Sequence, residues 1–337
     1  MMANSSISLV SLDFDGLKNN LKPFLQSQPQ FADYNFEGSN IGVLLDLLSY
    51  NTYLNAFYLN MAISESFLDT AQLRASLVSR AKELNYIPRS YKSSKATVTI
   101  QLNQNGLTNL TIPAGTKFNG RNANATYTFT TNNAIVVYPA GGYFTTNADI
   151  YEGTFINDVF VVDNTINNQR FVLSNQNVDT DTIIVSVVEN SGQTTTNFTQ
   201  ATSLYGLNST SPIYFLQAVN DASYEIVFGD GVFGRPPLNG AVIAVNYRTC
   251  MGSDADNTTS FNLVDILPST GSVTTINASS GGANAESIES IRFNAPRHFQ
   301  TQERAVTVSD FKTLVLSNFT NRSEEHTSEL QSRLHLV

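Results

Sequence analysis

This 337-residue sequence holds one cysteine, three histidines and no tryptophan, and only 14% of it is charged. Each shortage removes a class of function. The lone Cys250 excludes an intrachain disulfide framework and fits assembly in a reducing compartment. One cysteine and a few scattered histidines are too few for the usual zinc combinations. Nineteen lysines and arginines stand against 28 aspartates and glutamates, a formal net charge of -9. That balance disfavours a general nucleic-acid surface, because phosphate contacts need clustered cations. No apolar run approaches the roughly twenty residues of a membrane helix, and no basic segment leads into one near the start, so neither a membrane span nor a secretion signal is expected. The N-x-S/T triplets are then chance matches in a chain rich in Asn and Thr.

Hydrophobic residues make up 41% of the chain, enough for a folded protein of about two or three domains. Low charge with many small polar side chains suits β structure, whether solvated or covered by partners. Asp13 to Leu25 places Phe14, Leu17, Leu21, Phe24 and Leu25 at helical spacing. From Asn40 a longer helix is expected, capped by Ser39 or Asn40, with Ile41, Leu44, Leu45 and Leu48 on one face and Leu47, Tyr50, Leu54, Phe57, Tyr58 and Met61 on an adjoining one. Two apolar faces predict burial on more than one side, in a helical subdomain of this chain or in a bundle shared with another subunit. A further helix follows, with Asp69 and Gln72 in capping-box spacing and Leu73, Leu77, Ala81 and Leu84 at core positions; Pro88 stops it.

From Lys95 to Arg248 the pattern is β. Val98, Ile100 and Leu102 alternate with Thr97, Thr99 and Gln101. Short strands are expected at 127–130, 134–138, 154–162, 170–173, 182–188 and 213–219, in a sandwich or small barrel. The stretch SYEIVFGDGVFGRPPLNG at 223–240 is a strand, a stiff turn built from Gly229, Asp230, Gly231, Gly234, Pro236 and Pro237, and a second strand. Its G-x-G-x-x-G spacing also spells a dinucleotide fingerprint, which requires a helix after the third glycine; a strand follows instead, so the structural turn is the preferred reading. After Gly281 the period becomes helical, with Glu286 and Glu289 loading a first turn and Ile288, Ile291 and Phe293 on the buried side, closed by Pro296. A last helix is expected from Thr307 and Asp310, with Val308, Phe311, Leu314 and Val315 as its stripe. Arg292, Arg297, Glu303 and Arg304 surround these helices, as internal ion pairs or as contacts to a neighbouring subunit.

No reactive constellation stands out. His298 has no nucleophile signature beside it. Asp13-x-Asp15-Gly16 and Asp179-x-Asp181 match fragments of calcium loops without the later ligands. No pair of carboxylates is marked for glycoside chemistry.

Three blocks, FGDGVFGRPP at 228–237, GGANAESIESIR at 281–292 and QERAVTVSDF at 302–311, resemble the Baseplate J-like family of contractile phage tails. DYNFEGSN at 33–40, with residues 46–60 and 67–88, resembles more narrowly the baseplate wedge subunits of T-even-type phages. The resemblance implies an α+β multidomain chain: an N-terminal helical wedge-docking region (1–93), a central antiparallel β domain (94–206) and a C-terminal Baseplate J-like α+β module (207–321). It implies a non-enzymatic structural subunit that assembles in the host cytoplasm into the virion baseplate, joins wedges into a ring and supports the rearrangement that triggers sheath contraction. The expected partners are other wedge proteins and copies of itself, with no cofactor, metal, nucleic acid, membrane or small-molecule substrate. Leu47, Tyr50, Leu54, Phe57, Tyr58, Met61, Arg292, Arg297 and Arg304 are the candidate interface. The alternative is a tail-associated carbohydrate-binding or glycan-cleaving protein.

The segment RSEEHTSELQS from Arg322 resembles the translation of a sequencing-library adapter, so 322–337 is expected to be an artefactual tail, with the natural protein continuing beyond Asn321. His326 and His335 lie in it. Removing Glu324, Glu325 and Glu329 with Arg322 and Arg333 leaves a net charge of about -8.

Overall fold

The computed structural model describes residues 14–313, apart from 32–38, 104–105, 124, 167–168, 203–205, 220–222, 266–269, 303, 305, 309 and 312. Asp13, most of the 33–40 motif, Glu303, Leu314, Val315 and the 322–337 tail lie outside the described residues. Internal packing divides the chain into two compact units, Met1–Arg80 and Ala81–Val337.

In the first unit, α1 (Phe14–Gln26) and α2 (Asn40–Ser64) are joined by an ion pair between Lys18 and Asp46. Ser39 caps α2 by accepting from Gly42 N at 3.1 Å, satisfying one of the amides that a helix start leaves without a partner. The next cap differs from expectation. α3 (Arg74–Glu83), which crosses the division between the units, is preceded by Gln72 and Leu73, whose backbone N–H groups donate to the Glu65 carboxylate at 2.9 and 3.2 Å. Glu65, and not Asp69, supplies the acceptor.

The second unit contains two rolled sheets. The first follows the order β15 (Ser260–Leu263), β3 (Lys117–Arg121), β4 (Thr126–Thr131), β7 (Tyr143–Glu152), β1 (Lys95–Asn103), β16 (Gly271–Ser280), with the two-residue β6 (Pro139–Ala140) beside β7. Its pairings are antiparallel. Asn257 N donates to Ser279 O at 2.8 Å and Ser279 N to Thr258 O at 3.0 Å, drawing the approach to β15 toward β16 and nearly closing a barrel. Inward residues Val98, Ile100, Leu102, Phe118, Phe129, Phe144, Ile150 and Phe261 fill it, the last pairing edge-on with Phe129 at 4.9 Å. A short pair, β2 (Leu110–Ile112) and β5 (Ile135–Val137), adds Leu110, Ile112 and Val137 to the same core.

The second sheet runs β8 (Thr154–Val161), β14 (Val242–Thr249), β10 (Val178–Glu189), β11 (Thr194–Gln200), β12 (Ile213–Ala218), β13 (Tyr224–Phe228), β9 (Phe171–Val172). Leu207 lies between β11 and β12, which pair in parallel within this sheet. The two outermost strands curl together, since the Phe160 and Phe171 rings meet at 5.7 Å, and Phe228 continues the aromatic column to Phe198. Val185, Val187, Ile243, Val245 and Tyr247 are fully buried.

Helix α4 (Ile288–Thr301) begins at Ser287, whose hydroxyl accepts from Ser290 N at 3.2 Å. It runs through Pro296 instead of ending there. Proline removes one amide from the ladder, but Ile291 and Ala295 are wholly buried, and their burial offsets the loss. The capping pair expected farther on is present: Asp310 N donates to Thr307 Oγ1 at 3.2 Å and Thr307 N to Asp310 Oδ2 at 2.8 Å.

Candidate functional site

The glycine-proline turn is held by identifiable contacts. Asp230 Oδ1 accepts from Val232 N and Phe233 N, both at 2.9 Å, and these N–H groups keep its carboxyl below the usual range. Gly231 (φ +87°) and Gly234 (φ +92°) occupy the left-handed region, where L side chains are strained. Gly229 does not; it is glycine because a Cβ there would lie 2.3 Å from the Gly234 carbonyl carbon. Arg235 Nη1 donates to Glu189 Oε2 at 2.8 Å, Leu238 N donates to Glu189 Oε1 at 3.1 Å, and Pro236 and Pro237 stiffen the path between them. No helix follows Gly234, so the phosphate-cradle geometry does not form. The turn displays Val232 and Phe233 outward.

On α2 only a narrow stripe is buried: Leu45, Ser49, Ala56 and Asn60. Burial of Ile41, Leu44 and Leu48 as a second face was expected, but Leu44 and Leu48 are more than half exposed. Two of these four, Ser49 and Ala56, are small, which admits a close neighbour, while most of the large apolar side chains face out. Val43, Leu47, Tyr50, Leu54, Phe57 and Met61 follow each other at steps of four, three, four, three and four, the spacing of a coiled-coil seam. Leu47 is 63% exposed, with Tyr50, Phe57 and Met61 also exposed and Leu54 half-buried. Tyr58 flanks the seam at 61% exposure.

The three arginines of the C-terminal helices have local partners. Arg292 Nη1 bridges both Glu289 oxygens at 2.8 Å. Arg297 Nη1 donates to Phe293 O at 2.8 Å, with its guanidinium over the Phe293 ring, and Arg304 Nη2 donates to Gln302 Oε1.

Two polar clusters were not singled out in the sequence. Glu286, 3% exposed, accepts from Tyr86 Oη (2.8 Å), Arg89 N (3.1 Å), Ser290 Oγ (2.5 Å) and Asn294 Nδ2 (2.9 Å), tying the chain after α3 to α4. Burial, then the Glu286 charge, raises the Tyr86 pKa. His298 stacks edge-on against Tyr86 at 5.5 Å. The second cluster joins the two barrels. Arg248, fully buried, donates through Nη1 to Thr130 Oγ1 and to the carbonyls of Tyr151, Glu152 and Gly153, and through Nη2 to Asn132 Oδ1. Nearby, Asp179 Oδ2 accepts from Ser93 N and Oγ at 2.9 and 2.7 Å. Burial pushes the Cys250 thiol up to about 12 and the Glu152 carboxyl up to about 7. A crevice of about 710 Å³ opens beside them. The sequence signals were positional: Glu152 continues the inward row Phe144, Ala148, Ile150 of β7, and Arg248 is the one charged residue of β14, next to its end. Among the described residues no three His, Cys, Asp or Glu side chains gather in a metal-holding group.

The described residues form an α+β chain with two rolled sheets, a displayed turn and a long apolar helix face. Residues 13–86 match the family described as "Baseplate wedge protein gp6-like, helical domain". The chain is similar to baseplate wedge protein gp6 of Enterobacteria phage T4, 28% identical over 341 residues, covering 91% of this chain and 50% of that protein. It therefore spans half the length of the relative. A chain of the anti-feeding prophage baseplate, solved by cryo-electron microscopy with six-fold symmetrisation, aligns over 89% of this chain and 63% of its own at 15% identity and a TM-score of 0.32; that score is too low to bear on fold or function. The wedge resemblance thus holds for the N-terminal helices by family and for most of the chain by sequence.

Proposed function

We propose that this chain is a structural subunit of a phage tail baseplate wedge, located in the virion and assembled in the host cytoplasm. The observation that carries the reading is the exposed heptad seam of α2, lying inside the segment that matches the wedge-protein helical domain. Large apolar side chains left in water along one helix contribute little to the fold, and a partner helix that covers them gains their burial energy. Residues 1–93 would then dock on other wedge proteins through Leu47, Tyr50, Leu54, Phe57, Tyr58 and Met61. The two barrels, whose strands run from Lys95 to Ser280, act as a spacer, and the part of the chain from 207 to 321, with Arg292, Arg297 and Arg304, joins neighbouring copies into a ring that supports the rearrangement before sheath contraction. The role is binding, with no bond made or broken.

Co-expression with the other wedge proteins of the same phage, followed by size-exclusion chromatography with light scattering, tests this. A stoichiometric complex that dissociates when Leu47 and Tyr58 are both changed to Glu is the expected result. A monomer that ignores those proteins at micromolar concentration would sink the reading.

A further inference from the structure

The crevice beside the barrel junction is lined by Thr126, Tyr127 and Thr128 of β4, by Ser174, Asn175, Gln176 and Asn177 after β9, and by Glu152, Gly153, Cys250 and Met251, among others. Its lining contains one charged side chain, Glu152, and no lysine, arginine or histidine. Glu152 is 3% exposed. Its Oε2 accepts from Met251 N at 2.8 Å, and among the described residues no second donor reaches the carboxylate. A carboxylate has room for about four hydrogen bonds; Oε1 makes none among the described residues and is not sealed from the crevice, so it is open to a donor that enters there.

Among the described residues the neighbouring cation makes no hydrogen bond to that carboxylate, and its own buried Nε has no partner. Arg248 donates to the Glu152 backbone carbonyl, not to its carboxylate, and its remaining contacts are other carbonyls, a hydroxyl and an amide oxygen. Asp179 and Asp254 add negative charge around Glu152, and Arg248 opposes it. An acid that is buried, under-bonded and surrounded by neutral hydroxyls and amides, with a tyrosine ring and a thioether on the same walls, has the chemistry of a receptor for a compact organic cation. A metal ion is a poorer fit, since no three metal-ligating side chains gather there.

We propose that this crevice is a socket for a basic side chain, an arginine or lysine of a neighbouring protein in the assembly, whose cation pairs with Glu152 and lies against Tyr127. This rests on the reading of the chain as an assembly subunit. The geometry also sets a pH dependence. Glu152 titrates near 7 under the combined influence of burial, Met251 N, Arg248, Asp179 and Asp254, so the socket carries its full negative charge only above neutrality, and a cation is held more tightly at pH 8 than at pH 6.

The probe is n-butylguanidinium chloride, titrated into the full chain against sodium chloride of equal ionic strength while the Met251 amide and Tyr127 ring resonances are followed by NMR. Saturable shifts at both positions, stronger at pH 8 than at pH 6, are expected. Glu152→Gln keeps the shape and removes the charge, and should weaken the affinity at least about tenfold, the loss of one charge-assisted hydrogen bond. Tyr127→Leu should weaken it independently. An identical response in Glu152→Gln, a non-saturable response, or the same shifts produced by N-acetylglucosamine in place of the cation overturns the socket. If the Gln variant does not fold, the wild-type pH dependence and Tyr127→Leu decide. The probe is measured on the lone chain: a binding chain that joins no baseplate protein defeats the assembly reading alone, and a chain that joins them with a silent socket defeats the socket alone.

Discussion

Arg248 Nη1 lies 2.9 Å from the carbonyl oxygen of Gly153, the residue at which the chain leaves the first barrel and enters the second. The same nitrogen is 2.9 Å from Tyr151 O and 3.2 Å from Glu152 O, so one guanidinium holds the whole crossover. Burial lowers its pKa, with Asp179 among the charges that oppose the shift. The Phe155 ring, 4.5 Å from the guanidinium, covers it. Replacing Arg248 by Met removes the donor and leaves several buried carbonyls without partners. The expected loss is about 3 to 5 kcal/mol, read from the urea midpoint. Arg248→Lys should rescue little, because an ammonium cannot span the crossover carbonyls and Asn132 together.

Gly153 is constrained twice. Its φ is +96°, and a Cβ would sit 1.9 Å from the Thr249 carbonyl oxygen. Backbone on backbone cannot be relieved by a rotamer change, so Gly153→Ala should prevent normal docking of the barrels. Gly192 shares the positive φ, at +95°, but a Cβ there meets nothing within 4 Å. Gly192→Ala should cost only about 1 kcal/mol. Thermal melts of the two variants, side by side, separate strain from collision.

The sequence made some of this legible and hid the rest for physical reasons. β1 announced itself because Val98, Ile100 and Leu102 alternate with threonines and glutamine over a core. Helix α2 was visible from its apolar density, yet which of its faces the chain covers was not, because both carry leucines. β7, β15 and β16 escaped notice: their Asn, Thr and Ser content matches that of the loops between strands. Nothing local says that Ser280 pairs with Lys95 across the intervening barrel. Glu189 and Arg235 are 46 residues apart and meet only because the turn returns toward the end of β10. Pairings of this kind belong to topology, and periodicity does not encode them.

Glu152 links stability to pH. Its folded pKa, about 7, lies above its ordinary value of 4.5, chiefly through burial, with Met251 N and Arg248 opposing. The fold therefore favours the protonated form. The favourable contribution is complete below about 4.5 and is lost as pH rises through 7, after which the slope from this group vanishes. A shift of that size corresponds to roughly 3 kcal/mol. Urea titrations between pH 5 and 8 should show this fall on top of other groups' effects, and Glu152→Gln should remove it while leaving the protein about as stable at pH 8 as the wild type is at pH 5. A variant that keeps the slope assigns it elsewhere.

The two sides of α2 should respond oppositely to substitution, and this separates folding from assembly. Leu45 is 4% exposed; Leu45→Ala removes buried methyl groups and should cost about 2 to 4 kcal/mol of stability. Leu47, two residues on and 63% exposed, should tolerate Glu within about 0.5 kcal/mol, because water already surrounds it. In a complex the order reverses. A glutamate in the middle of a covered heptad seam must lose its hydration, so Leu47→Glu should weaken binding to wedge partners by at least about 2 kcal/mol, a factor near thirty. Tyr50 and Phe57, on the same seam, should behave like Leu47. Isothermal titration paired with urea denaturation gives both numbers for each variant; seam variants that lose stability without losing affinity would place the apolar stripe inside the subunit's own core.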